Sequence, residues 1–444
     1  MKARAEVYIS AATIDIALQS GAWAQTLKQL YIGQAVWNCA LRWLIVLSSG
    51  FSLAVGIFAQ SLTWLGTLSG YSGSQAFSVS ANGAVVVGES SGGGLRAFRW
   101  TRLTGMYDLG TLGGSWAVAR DTSSDGSVVV GSSLRVAGSS RGERAFRWRL
   151  GVGMQDLGTL GGDSSWAAGV SANGWVVVGA STTQGGYSRA FRWTPQTGMV
   201  DLGTLGGNES RAIEVSADGN VVVGGAQDYD GVERAFRWTE ATGMQDLGSL
   251  GGGYSIAYGI SPDGTVVVGE AYNSLFYHRP FRWTETDGMQ ELDGLAIDEV
   301  GTAYDASNGG SIVVGYVRPA NVNVWAGGRA FRWTEARGLE DLNRVYSQLL
   351  SPGSRLIIAY AITPDGRYIA GTGYNAATER FEGFLLDTRI TGDIDGSGCV
   401  DDADLLRVLF VFGRTGSRVE DVNGDGMVDD ADLLLVLFNF GNGC

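Results

Sequence analysis

The chain has 444 residues, with 69 glycines and 6 prolines; 45% of it is hydrophobic, 10% aromatic and only 17% charged. This inventory excludes disorder, which pairs high net charge with few large apolar groups, and collagen, because the glycines keep no three-residue period. A net charge of −13 argues against a nucleic-acid partner, and one histidine (His278) with lysines only at Lys2 and Lys28 leaves no multi-histidine zinc site and no lysine-bearing phosphate loop.

Residues 1–59 read as an export segment. The stretch from Trp43 to Ala59, WLIVLSSGFSLAVGIFA, is uncharged, follows Arg42 and ends in small residues before a polar stretch, which is the signal-peptide pattern, with cleavage near Ala59. Two readings stay open, a cleaved signal or an uncleaved anchor, and the 17-residue run is short for a membrane span. Either one sends the chain after residue 60 out of the cytoplasm.

From residue 60 to 390 the sequence repeats seven times. A valine-rich run ending in glycine starts at Val85, Val128, Val176, Val221, Val266, Ile312 and Tyr368. A second element, AFRW or PFRW, ends at Trp100, Trp148, Trp193, Trp238, Trp283 and Trp333, and degenerates to GFLL at Gly383. The tryptophans recur at 48, 45, 45, 45 and 50 residues, the period of one four-stranded propeller blade. Each valine run follows a turn pair such as Asn82-Gly83 or Asp125-Gly126, which predicts a two-residue hairpin with positive φ angles. Four strands per repeat follow, named a to d. Strand a places an alanine at Ala76, Ala119, Ala167, Ala212, Ala257, Ala303 and Ala359, suiting a crowded inner edge. The unbroken valines of strand b suit burial on both faces, and alternation in strand c puts Phe and Trp on one face, Ala and Arg on the other. Strand d reads MxDLGTL, with copies of LGTL from Leu65 to Leu202, its variant LGSL at Leu247, then LDGL at Leu292 and LNRV at Leu342. The first copy precedes every other strand and the seventh repeat lacks one. The expected fold is therefore an all-β, seven-bladed β-propeller whose N-terminal strand completes the last blade, which removes exposed sheet edges.

The blocks RAFRWTxxTGMxDLGTLGG and VSANGxVVVGxS resemble the extracellular repeats of the HAF family over roughly residues 62 to 388. Arg96, Arg144, Arg189, Arg234, Arg279 and Arg329 take the place of that family's histidine. The resemblance implies a repeat architecture outside the cell and no particular activity.

After Ile390 the composition changes. From Thr391 to Cys444, eleven acidic residues face three arginines, a balance of −8 in 54 residues. Residues 393–404 and 421–432 read DIDGSGCVDDAD and DVNGDGMVDDAD, with oxygen-bearing side chains at positions 1, 3, 5, 9 and 12 and glycine at position 6, as a calcium loop requires. The first loop offers Asp393, Asp395, Ser397, Asp401 and Asp404 with the Cys399 carbonyl; the second offers Asp421, Asn423, Asp425, Asp429 and Asp432 with the Met427 carbonyl. Hard oxygen donors suit two Ca²⁺ ions rather than zinc or copper. Each loop runs into an apolar helix with no entering helix. Loop plus exit helix, twice, resembles a type I dockerin domain, which implies two calcium ions and a cohesin-like or surface partner. The positions associated with partner choice in that family, often Ser/Thr, are here Asp402-Ala403 and Asp430-Ala431. An extracellular or cell-surface place in a bacterium follows from the resemblance.

Cys39 lies in the export segment, leaving Cys399 and Cys444 as an even pair in an oxidising compartment. A disulfide between them would close about 46 residues and stabilise the tail by roughly 4 kcal/mol. In the propeller, Asp121, Glu214 and Asp305 share one position on strand a in only three repeats, as a catalytic site superposed on a scaffold would, or as solvated polar filler would. The recurrent Asp108, Asp156, Asp201, Asp246 and Asp341 of strand d are expected partners of the recurrent arginines. Segments between strands b and c, and between d and a, carry Tyr71, Trp116, Trp166, Tyr187, Tyr254, Tyr272, Tyr277 and Trp325. These segments emerge on one face of the ring, where aromatics suit stacking on sugars or protein docking. The leading expectation is a secreted, non-catalytic propeller that binds glycan or protein and is attached through the calcium-dependent tail. The alternatives are a glycoside hydrolase or lyase with the same tail, or a structural envelope protein.

Overall fold

The computed structural model describes residues 60–135, 142–395, 399–416, 418, 420–422 and 426–441. The segment read as an export signal lies outside them, and among the described residues no helix is long and apolar enough to cross a membrane. The contacts separate a unit of residues 61–388 from the tail that follows.

The 61–388 unit is a seven-bladed β-propeller of four-stranded antiparallel sheets, each ordered a-b-c-d. Blade 1, for instance, runs through Gly73–Val79, Val85–Ser91, Leu95–Thr101 and Gly105–Asp108. Blade 7 takes strands a to c from Arg355–Ile362, Tyr368–Asn375 and Arg380–Asp387, and its fourth strand is Ser61–Trp64, paired from Ser61↔Asp387 to Trp64↔Phe384. The N-terminal strand thus closes the ring as its unpaired LGTL copy requires.

The core is seven apolar clusters, each between two neighbouring blades. Val85, Val87 and Ala97 of blade 1 meet Val129, Phe146 and Trp148 of blade 2, while Val86, Phe98 and Trp100 face the opposite neighbour, blade 7. This explains the continuous valines: alternate residues of one strand serve two interfaces. The seven strand-a alanines are all fully buried.

Three local features depart from the expected pattern. The hairpins between strands a and b are four-residue loops rather than two-residue turns. Ser80 N–H bonds Val85 O, Gly83 alone takes positive φ (70°), and the Asn82 side chain accepts from Ser80 Oγ and Ala84 N–H. A serine and an Asx side chain therefore build the turn, so Asn82 keeps an ordinary backbone. Strand d ends before the LGTL segment. In that segment Leu109 is buried and bonds back to Ala97 O, after which Gly110 turns the chain away at φ 79°. In blade 6 the equivalent LNRV forms a one-turn helix, Leu342–Val345.

The third feature is a β-bulge in strand a of every blade, next to the buried alanine. In blade 2, Ala119 pairs with Gly131 and Asp121 with Val130, so Arg120 is the extra residue. The bulge turns two successive residues toward the ring axis where plain alternation would turn one. It also explains the glycine ending each valine run: a Cβ on Gly131 would lie 2.0 Å from Val118 O, and one on Gly179 2.0 Å from Trp166 O.

The tail has its own core, in which Val400, Val408, Val422, Val428, Leu433 and Val436 are buried together. Its helices are Asp402–Phe410 and Asp430–Asn439. Each begins in a reciprocal capping box, Asp401 with Asp404 and Asp429 with Asp432, which satisfies amides that a helix start leaves open.

Candidate functional site

Each strand a runs from the loop face toward the a–b turns, so its successive residues line the central channel at increasing depth. The channel is a cavity of about 680 Å³. Its outer level carries Gln75, Trp166 and Arg211; the middle level, Phe77, Arg120, Tyr258, Tyr304 and Tyr360; the floor, Ser78, Asp121, Glu214 and Asp305. The bulges place the last two levels on the same wall.

The middle level is an arc of rings from four consecutive blades. Tyr258 meets Tyr304 at 5.4 Å between centroids, Tyr304 meets Tyr360 at 5.0 Å, and Tyr360 meets Phe77 at 5.2 Å. The Arg120 guanidinium lies 4.7 Å over Phe77 and ends the arc. Blades 3 and 4 contribute Ala168 and Ile213 at this level, leaving the opposite wall without rings. None of these aromatics was singled out from the sequence. They stand one residue before the position that carries Asp121 and Asp305, and the alignment of the repeats on their buried alanines contains them.

At the floor the seven equivalent residues are Ser78, Asp121, Gly169, Glu214, Gly259, Asp305 and Ala361, an alternation of acid and small residue. The three acids have different duties. Asp121 accepts from Ser78 Oγ of blade 1 (2.6 Å), from Thr122 N–H (2.7 Å) and from Val170 N–H of blade 3 (2.7 Å), tying three blades together. Asp305 accepts from Ala306 N–H (2.7 Å) and from Ile362 N–H of blade 7 (2.9 Å). Among the described residues Glu214 accepts only from the adjacent Val215 N–H (2.9 Å), and its carboxyl lies over Gly169, where a Cβ would come within 2.6 Å of Oε1. Burial raises Asp121 to about 6 and Asp305 to about 7, and their hydrogen bonds only partly offset it. Glu214 is raised well above the glutamate range by burial first, then by the charge of Asp121. Two of the three acids thus prove to be blade-to-blade ties, and Glu214 is the one with spare capacity.

Among the described residues the eight loop-face aromatics fall into separate groups of contacts. Trp166 lines the channel. Tyr254 and Tyr272 pack together at 4.9 Å, with His278 4.4 Å from Tyr272. They flank the buried Glu270, which accepts from Thr302 Oγ1 (2.6 Å) and contacts the Tyr254 and Tyr258 hydroxyls at 3.5 and 3.4 Å. Trp325 joins Phe381 and Tyr374, at 5.4 and 5.5 Å along the chain of rings. Tyr187 is open to solvent, and Tyr71, Trp116 and Tyr277 are half-buried. The arginine ladder holds in part. Arg96–Asp108, Arg144–Asp156 and Arg329–Asp341 pair at 3.6, 3.9 and 3.3 Å, whereas Arg234 pairs with Asp228. Asp201 and Asp246 accept from Gly203 and Gly248 amides.

In the tail, carboxylate oxygens of Asp393, Asp395 and Asp404 lie within 4.8 Å of one another. Asp404 is fully buried and accepts from Ile394 N–H (2.6 Å), Asp395 N–H (3.0 Å) and Asp401 N–H (2.9 Å), which folds the loop around it. Three converging carboxylates with hard oxygen atoms fit a calcium ion by charge and donor type. In the second loop Asp432 is likewise buried and accepts from Asp429 N–H (2.9 Å), while Asp421 accepts from Gly426 N–H (2.8 Å). Ser397, Asn423, Asp425 and Cys444 lie outside the described residues.

No family model matches the chain, and no curated protein matches it in sequence. Solved structures match in fold. The β-propeller domain of the Trilobed protease from Pyrococcus furiosus aligns with a TM-score of 0.50 at 9% identity, over 72% of this chain and 96% of that one. It is described as having an open velcro topology, whereas here Ser61–Trp64 joins the last blade. Oligogalacturonate lyase from Vibrio parahaemolyticus aligns with a TM-score of 0.49 at 12% identity, over 75% of this chain and 96% of that one. TolB from Acinetobacter baumannii aligns with a TM-score of 0.40 at 14% identity, over 61% of this chain, which spans 63% of its length. At 9% identity the likeness to the Trilobed protease domain establishes the β-propeller fold and nothing of its chemistry.

Proposed function

We propose that the chain is a secreted, non-catalytic propeller that binds a glycan or protein and is attached to a cohesin-like or surface partner by a dockerin-like, calcium-dependent tail. The observation that carries the binding half is the central channel, a concave site with an aromatic wall and a few convergent polar groups. Glycan is the favoured ligand, because the arc offers aromatic surface and the floor offers partners for hydroxyl groups. The attachment half is supported by the convergence of Asp393, Asp395 and Asp404 and by two loops of matching sequence. Ca²⁺ held there would offset like charges that otherwise repel, and a Cys399–Cys444 disulfide would tie the tail's end to the first loop.

Capture from the source's own secreted fraction, by the full chain in calcium and in chelator, tests the attachment. A partner retained in calcium and released by chelator or by Asp404→Ala with Asp432→Ala is the expected result; retention indifferent to both would refute it. A second reading, a glycoside hydrolase or lyase, is favoured by one observation: Asp121, Glu214 and Asp305 do meet in an aromatic-lined cavity. The backbone bonds that engage Asp121 and Asp305 weigh against it. Release of reducing ends or unsaturated products from any polysaccharide, abolished by Glu214→Gln, would establish that reading instead.

A further inference from the structure

We infer that the central channel is a subsite for one free end of a carbohydrate chain, entering from the loop face, stacking on the aromatic arc and hydrogen-bonding Glu214 at the floor. The inference rests on the glycan reading above and narrows it from a face to a site.

Size comes first. A cavity of about 680 Å³ falls within the roughly 300–1,000 Å³ of small-molecule sites, and at its deepest level neighbouring strands approach closely, Gly169 against Glu214 and Gly259 against Asp305, so a chain entering from the loop face meets the floor with its end. Shape comes second. Tyr258, Tyr304, Tyr360 and Phe77 line one wall with successive centroids 5.4, 5.0 and 5.2 Å apart and ring planes inclined by 68°, 47° and 73°, so a ligand meets tilted faces and ring edges. The facing wall is Ala168 and Ile213 at the level of the arc, with Trp166 and Arg211 of the same blades above them, which leaves room at that level for a ring laid against the arc.

Charge decides the ligand class. An organic cation is disfavoured on the arc because Arg120 already lies over Phe77. An anion finds no cation at the floor, whose lining is Ser78, Asp121, Glu214 and Asp305, the arginines Arg120 and Arg211 standing at the levels above. A neutral ligand with many hydroxyls meets neither obstacle and can both donate to and accept from this lining. Glu214 is the floor group left to meet it, since its one hydrogen bond among the described residues comes from its neighbour Val215. Its placement is built into the repeat: the carboxyl lies in the space that a side chain at Gly169 would fill.

The test uses the full chain in saturating calcium on an array of defined oligosaccharides, each immobilised once by its reducing end and once by its opposite end. Binding by insertion requires one particular end to be free, so the expected result is capture in one orientation only. Glu214→Gln should weaken that capture by about tenfold or more, as should Tyr258→Leu, while Tyr187→Ala on the loop face leaves it unchanged. Should Glu214→Gln fail to fold, Glu214→Asp retracts the carboxyl with a residue the ring already accepts at two equivalent positions, and the same loss is expected. Capture in both orientations, insensitive to Glu214 and Tyr258 but removed by Tyr187→Ala, would overturn the channel subsite and leave the glycan reading standing. No capture of any sugar would overturn both.

Discussion

Replacing Asp121 by asparagine separates the two roles of a channel carboxylate. The wild-type group accepts three hydrogen bonds, from Ser78, Thr122 and Val170. A neutral carboxyl satisfies the same partners if Ser78 turns its hydroxyl to accept. An amide cannot, because its NH₂ must face at least one backbone N–H, which costs about 1–3 kcal/mol at any pH. Against this stands the charge. Burial raises Asp121 from 3.8 to about 6, so the folded state holds its proton more tightly than the unfolded chain does. The ionised form is therefore destabilising above pH 6, and the penalty is relieved as pH falls from there toward 4. Linkage gives about 3 kcal/mol for a shift of about two units, and contact with channel water reduces this to on the order of 1–2 kcal/mol. At pH 8 the lost bond and the removed charge nearly cancel; at pH 5 about half of the charge penalty persists, and at pH 4 little but the lost bond remains. Urea unfolding of the propeller transition, followed in constant calcium at pH 8 and pH 4, should show Asp121→Asn within about 1 kcal/mol of wild type at pH 8 and about 1–3 kcal/mol less stable at pH 4. A variant destabilised equally at both pH values would refute the assigned proton affinity, and one harmless at both would refute the inter-blade tie.

The remaining predictions concern packing and the tail. Phe191 is fully buried between blades 2 and 3 with Val130 and Ala145, so Phe191→Ala should lower propeller stability by about 3–5 kcal/mol in the same assay; a loss below 1 kcal/mol would contradict the packing. Gly179→Ala would set a methyl 2.0 Å from Trp166 O and should prevent folding or shift the melting transition more than Phe191→Ala does. Calcium removal should unfold the segment 391–444 and leave the propeller's melting transition in place, measured by hydrogen exchange with and without chelator; concerted loss of both would show that the units are not independent. Non-reducing mass analysis of the chain produced in an oxidising compartment should find Cys399 joined to Cys444, and free thiols at both would exclude the clasp.

Much of the fold was legible because a repeat states its constraints seven times. The valine runs fixed strand b, the buried alanines fixed the inner strand, and the orphan LGTL copy fixed the closure, each through local patterning that one blade cannot satisfy without its neighbours. The turn chemistry was misread. Asn82-Gly83 suggests a two-residue turn until Ser80 is seen bonding the same side chain.

For the site, sequence alone determined that Asp121, Glu214 and Asp305 share one position and that the two acidic loops carry matching oxygen donors. It did not determine which residues face the channel. Strict alternation turns every second residue of strand a inward, and the seven bulges break that rule where Tyr258, Tyr304 and Tyr360 precede the floor position. A bulge is a property of strand pairing, set by how one backbone registers on the next, and no residue in the strand announces it. Only the tertiary structure brings four blades' rings into one arc, commits Asp121 and Asp305 to neighbouring backbones, and leaves Glu214 over Gly169. Those are contacts between segments about 45 residues apart or more, which local sequence cannot encode.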